Sequence, residues 1–177
     1  MSLSGPAARR VDELVRLVPD YPQPGVLFRD ITPLLADGPA FGDVVDALVQ
    51  TAGEVDLVAG MEARGFLLAA PVAAALGVGL LPVRKAGKLP APTASQTYDL
   101  EYGSATVEVH AATIPPGARV LVVDDVLATG GTAAATVTLL ERCGAQVAGL
   151  AFLLELVGLG GRGVLDGRRV DALITVH

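Results

Sequence analysis

Val120-Leu121-Val122-Val123-Asp124-Asp125-Val126-Leu127-Ala128-Thr129-Gly130-Gly131-Thr132 decides how the chain folds. An apolar run enters two adjacent carboxylates, crosses a loop of small residues and continues into a segment with helical spacing, residues 132–143. Continuous apolar character suits a parallel strand covered on both faces. Open parallel sheets bind ligands beyond the carboxyl ends of their strands, where this loop falls. Gly130 and Gly131 let backbone approach a ligand closely, while Thr129, Thr132 and the free N–H groups of a helix start can surround a phosphate. Asp124 and Asp125 would repel a phosphate laid on them. They suit ribose hydroxyls, a hydrated Mg²⁺, or positive charge developing at a sugar carbon. Together these features outline a sugar phosphate. The bland reading of the same residues is a strand-to-helix turn with an N-capping Thr.

The flanking sequence repeats the strand–helix alternation. Val11, Leu14, Val15 and Val18 predict an amphipathic helix ended by Pro19. Residues 21–38 are Pro-rich and irregular, with a short extended piece at 26–28. Phe41, Val44, Val45, Leu48 and Val49 mark a second helix. Strands are expected at 55–59, 78–83, 119–124, 147–155 and 172–176, and a buried helix at 66–76. Residues 84–98 read as a long loop, and 106–110 alternates as a strand pairing with 98–102 across Gly103-Ser104. Strands alternating with helices predict an α/β fold, a single-domain parallel sheet flanked by helices. Residues 1–177 are read as one domain: 1–38 an N-terminal helix and a further segment, 84–110 a loop and hairpin.

Composition narrows the function classes. Of 177 residues 51% are hydrophobic, enough apolar surface to offset chain entropy. The net charge of −6 opposes general binding to nucleic acid or to an anionic membrane. A single cysteine, Cys143, excludes an internal disulfide framework and fits a reducing compartment. The uncharged stretch 65–83 is long enough on paper to span a bilayer. Pro71, Pro82 and the Gly77-Val78-Gly79 break favour a buried helix followed by a buried strand. Arg9-Arg10 precede Val11-Asp12-Glu13 rather than an apolar region, so no signal peptide is expected and a cytoplasmic location is.

Other phosphate motifs do not fit. There is no Walker lysine signature. Gly158-Leu159-Gly160-Gly161-Arg162-Gly163 matches G-x-G-x-x-G after a strand, but the residues up to His177 leave no room for the rest of a dinucleotide site. We read it as a chance match.

Residues 120–132 resemble the phosphoribosyl pyrophosphate (PRPP) signature of type I phosphoribosyltransferases. Further motifs are similar to the adenine-specific branch of that family: Tyr21-Pro22-Gln23-Pro24-Gly25-Val26-Leu27-Phe28-Arg29-Asp30-Ile31, Glu62-Ala63-Arg64-Gly65-Phe66, Val83-Arg84-Lys85-Ala86-Gly87-Lys88-Leu89-Pro90 and Thr97-Tyr98-Asp99-Leu100-Glu101-Tyr102-Gly103. The resemblance covers roughly residues 21–155. Ala128 stands where hypoxanthine-type relatives carry Asp, and orotate-type relatives usually read Thr-Ala-Gly after the acidic pair.

The resemblance implies transfer of ribose 5-phosphate from PRPP to N9 of adenine, giving AMP and pyrophosphate, with Mg²⁺ as cofactor bound mainly through PRPP and water. Ala128, Thr129, Gly130, Gly131 and Thr132 would hold the 5-phosphate, and Asp124 and Asp125 would face the ribose and its developing charge. Arg84 and the chain's two lysines, Lys85 and Lys88, would meet the pyrophosphate, joined by Arg64. Phe28 and Arg29 would frame the adenine. Residues 89–103 would form a lid that excludes water, shaped by Thr97 and Tyr102. Glu101 would be the acid–base group near purine N7; without the family it reads as an exposed hairpin residue. His110 and Cys143 read as structural. A homodimer is the expected assembly, with no nucleic-acid or membrane partner. Two alternatives stay open: a PRPP- or nucleotide-sensing regulator on the same fold, and transfer to another purine.

Overall fold

The structure, a computed structural model, describes residues 5–90, 92–99 and 103–177. The chain opens with helix α1 (Gly5–Leu14) and a two-stranded antiparallel ribbon, β1 (Arg16–Pro19) and β2 (Leu27–Asp30). The first helix therefore stops short of the predicted Pro19. Val11 and Val15 are buried, but Val18 pairs with Phe28 across the ribbon. Apolar residues three and four apart satisfied a helical reading although a helix-to-strand junction lies between them.

Short α2 (Thr32–Ala36) and α3 (Gly38–Ala52) follow, the latter capped by Asp37, whose side chain accepts the Ala40 N–H. Then come β3 (Leu57–Met61), α4 (Gly65–Leu76) and β4 (Gly79–Lys85). The uncharged stretch is a helix, a turn at Gly77 and a strand. Among the described residues, no helix is long and apolar enough to cross a membrane.

The predicted long loop needs correction. Its first residues belong to β4, and Ala94–Asp99 forms β5, which pairs antiparallel with β6 (Ser104–Val109). The register sets Thr97 opposite Thr106 and Asp99 opposite Ser104, so the hairpin strand starts four residues earlier than Tyr98. The two threonine hydroxyls meet at 2.9 Å. Polar residues on an edge hairpin carry little apolar periodicity, which hid this strand. The chain ends with β7 (Arg119–Leu127), α5 (Gly131–Arg142), β8 (Gln146–Leu156), one-turn α6 (Gly161–Val164) and β9 (Val170–Val176).

Seven strands form one sheet in the order β5-β6-β4-β3-β7-β8-β9. The strands β4, β3, β7, β8 and β9 run parallel, and the β5–β6 hairpin adds antiparallel to the β4 edge. Side-chain alternation builds the core on both faces. Val58, Leu121, Val123, Ala151 and Leu153 pack with α3 and α4 on one side. Ala59, Met61, Val120, Val122, Leu150 and Phe152 pack with α5 on the other. The carboxyl ends of β3, β4, β7 and β8 thus open toward one edge of the sheet, where the loops of interest lie.

Candidate active site

Two contiguous cavities share Met61, Asp124 and Thr132 at the strand ends. The smaller, about 80 Å³, follows the loop 128–132 and the first turn of α5. The larger, about 340 Å³, is walled by Glu62, Arg84, Lys85 and the hairpin residues Tyr98, Ala105 and Val107. The loop can take its tight path because Gly130, just before α5, sits at φ +82°. The unpaired N–H groups of a twelve-residue helix therefore face the smaller cavity.

The carboxylate pair divides. Asp124 borders both cavities. Its Oδ1 accepts the Asp125 N–H at 2.9 Å, and its carboxyl group rises well above its usual range through burial and the neighbouring Asp125. Gly65 must lack a side chain for this arrangement, since a Cβ there would lie 2.7 Å from Asp124 Oδ1. Asp125, 5% exposed, lines neither cavity. Arg64 Nη2 lies 2.8 Å from its Oδ2, an ion-pair contact without hydrogen-bond alignment. Burial raises the Asp125 carboxyl, and Arg64 opposes that rise.

Arg64 has a second engagement. Its Nη1 donates to the Arg29 carbonyl at 2.9 Å, and its guanidinium carbon lies 4.8 Å from the centre of the Phe28 ring. Tyr21 meets the same ring edge-on, with centroids 5.0 Å apart. Phe28 is half-buried, and Arg29 Nε is buried with no hydrogen-bond partner. The guanidinium expected at a pyrophosphate thus stands between the Phe28 segment and Asp125.

The cationic loop is organised by two carboxylates. Glu62 accepts the Lys85 N–H at 2.9 Å and pairs with Arg84 at 3.3 Å; the Lys85 amide, then Arg84, hold its carboxyl below the usual range. Arg84 also donates to the Lys88 carbonyl at 3.0 Å, so its guanidinium is engaged within the loop. Lys85 and Lys88 are exposed, and neither ammonium has an ion-pair partner among the described residues. Glu108, only 5% exposed, accepts the Lys88 and Leu89 N–H groups at 2.9 and 2.8 Å. Those amides, Leu89 foremost, lower its carboxyl. Sequence reasoning passed over Glu108 because it sits between two valines of an alternating strand. Its pairing with Arg84 across β4–β6 was the missing information.

The hairpin runs along α5, from its first turn to its last. The Tyr98 hydroxyl and Thr132 Oγ1 are 2.9 Å apart, and Arg142 donates to Gln96 Oε1 at 2.7 Å. Ala128, Thr129, Gly130, Gly131 and Thr132 all line the smaller cavity. Glu101 and Tyr102 lie outside the described residues.

Residues 35–162 match the phosphoribosyl transferase domain family. The chain is 59% identical over 171 residues to the adenine phosphoribosyltransferase of Clavibacter michiganensis subsp. michiganensis, covering 97% of this chain and 98% of that one. It is also 59% identical over 168 residues to that of Thermobifida fusca, covering 94% and 96%. The crystal structure of the Thermoanaerobacter pseudethanolicus adenine phosphoribosyltransferase superposes with a TM-score of 0.93 at 46% identity, covering 96% of this chain and 99% of that one. The Saccharomyces cerevisiae adenine phosphoribosyltransferase, crystallised with an imino-altritol bisphosphate and adenine, gives a TM-score of 0.88 at 38% identity, covering 93% and 96%.

Proposed function

This chain belongs to the phosphoribosyl transferase family, among its adenine phosphoribosyltransferases, and from that premise we propose how its residues carry ribose 5-phosphate from PRPP to N9 of adenine. The observation that supports this most is the placing of Asp124 on the cavity that runs along residues 128–132. A carboxylate and a helix N-terminus share one cavity, as a sugar and its 5-phosphate would require.

In this reading the C1–O bond to pyrophosphate breaks as the bond from C1 to N9 forms, with positive charge building on the sugar. Asp124 faces that charge, and its enclosure makes the interaction stronger than in water. The helix start and residues 128–132 hold the 5-phosphate. Lys85 and Lys88 meet the leaving pyrophosphate, while Glu62 and Glu108 hold their loop. Phe28 packs on the purine, and Arg64 orients that segment. Glu101 takes the proton from purine N7 as N9 attacks, a role that rests on the family resemblance. A homodimer in the cytoplasm is the proposed form.

Mg²⁺ is proposed to enter with PRPP. In this reading the ion is held mainly by pyrophosphate oxygens and water, with Asp124 the carboxylate that borders both cavities. There it would neutralise charge on the departing group. Pyrophosphorolysis tests the function independently of the forward assay: AMP with pyrophosphate and Mg²⁺ should release free adenine. No adenine release from AMP, with base released from IMP or GMP instead, would move the reading to another purine.

A further inference from the structure

Gly130 and Gly161 are pressed together more tightly than side chains allow. A Cβ on Gly161 would lie 2.2 Å from the Ala128 carbonyl oxygen and 2.9 Å from the Gly130 nitrogen; one on Gly130 would lie 2.6 Å from the Gly161 oxygen. The first residue of α6 is thus the back wall of the loop 128–132. It sits in the G-x-G-x-x-G match that has no dinucleotide role here.

The next residue anchors that wall. Arg162 forks onto Glu155, Nε to Oε1 at 2.8 Å and Nη2 to Oε2 at 2.5 Å, and its Nη1 donates to the Val170 carbonyl at 2.7 Å. Glu155 is 5% exposed near the end of β8, and Val170 begins β9. A bidentate pair with a third bond to backbone sets both position and direction of the turn. The positions of the β8 end and the β9 start are thereby transmitted through Arg162 and Gly161 to the backbone of the small-residue loop.

We propose that Gly161, with the Arg162–Glu155 pair behind it, positions the loop 128–132 for the 5-phosphate of the sugar substrate. These are positioning residues, and the inference rests on the 5-phosphate lying at that loop. The loop has no long side chains of its own to hold its shape, so an outside wall must do it. The closest approaches of Gly161 fall on Ala128 and Gly130 of that loop. The Lys85–Lys88 loop is held separately, by Glu62 and Glu108. A lesion at the wall should therefore act on one subsite.

The test measures inhibition by ribose 5-phosphate and by inorganic pyrophosphate separately, together with KM for PRPP and adenine. Gly161→Ala and Arg162→Ala should weaken ribose 5-phosphate and raise KM for PRPP by about tenfold or more, with pyrophosphate inhibition and KM for adenine within about twofold of wild type. Arg162→Lys, which keeps the charge but cannot fork, should show the same selectivity and keeps the test available if Gly161→Ala does not fold. Arg168→Ala, breaking the nearby pair with Glu141, serves as the control and should change neither ligand. Unchanged ribose 5-phosphate inhibition, or equal weakening of both ligands, in folded variants would overturn the proposal. A wild-type protein that forms AMP separates such a failure from failure of the function itself.

Discussion

Arg64 and Asp125 stand 2.8 Å apart, Nη2 to Oδ2, and through this contact the strand bearing the carboxylate pair is tied to the segment bearing Phe28. Arg64 completes the link by donating to the Arg29 carbonyl. The Phe28 segment and the strand of the carboxylate pair are therefore joined by one guanidinium.

Arg64→Ala removes that link. KM for adenine should rise about tenfold, since Phe28 loses its packing partner and its backbone restraint. Stability should fall by about 2 kcal/mol, less than for a fully enclosed pair because the Arg64 side chain is 33% exposed. Steady-state kinetics and urea unfolding check both. An unchanged KM for adenine would dissociate Arg64 from the base site.

Asp124→Asn should separate activity from stability. The kcat should fall about 100-fold, as for other groups that face transition-state charge. The folded carboxyl is raised above its ordinary value of 3.8, so the folded state holds the proton more tightly than the unfolded one. That group's contribution to stability therefore declines as pH climbs from the ordinary value through the raised one. Asn does not titrate, and its Oδ1 can still accept the Asp125 N–H. Its advantage in Tm over the wild type should be larger at pH 8 than at pH 5. A variant less stable at both pH values would contradict this.

Glu108→Ala should act on the pyrophosphate side. Its loss frees the Lys88 and Leu89 amides, so inhibition by pyrophosphate should weaken about tenfold while ribose 5-phosphate inhibition is kept. This is the mirror image of the selectivity expected at Gly161. Equal loss of both ligands would reduce Glu108 to a folding residue.

Acid stability should depend on Asp56, at the far end of the sheet from the site. The Arg119 guanidinium and amide pull its carboxyl from 3.8 to about 2. A lowered folded value gives stability that is present above the ordinary pKa and lost as pH falls through the folded one. Asp56→Asn should flatten the acid limb of the unfolding curve between about pH 4 and about pH 2, with AMP formation at neutral pH unchanged. A parallel acid limb would sink this assignment.

Buried elements were the legible ones. Residues 119–124, 66–76 and 147–155 announced themselves because a strand or helix enclosed on its faces must be apolar throughout. The edge hairpin was read too late because Ser95 and Thr97 are exposed, polar Gln96 takes the other face, and no core pattern results. The loop 128–132 was legible because its glycines follow the acidic pair directly in the sequence, between a strand and a helix. Glu108 and Gly161 were not, since each matters through a partner distant in sequence, Leu89 and Ala128, and Arg162 matters through Glu155, which only the turn after β8 brings to it. Likewise the two adjacent aspartates looked equivalent as letters. Strand alternation turned one toward the cavities and the other toward Arg64.

The central claim is transfer to adenine, and the most direct measurement follows AMP formation from adenine, PRPP and Mg²⁺, with hypoxanthine, guanine and orotate in parallel. Turnover with adenine alone is the predicted result, with Glu101→Ala losing rate while remaining folded. PRPP binding without transfer to any base would contradict the account and leave a nucleotide-sensing protein in its place.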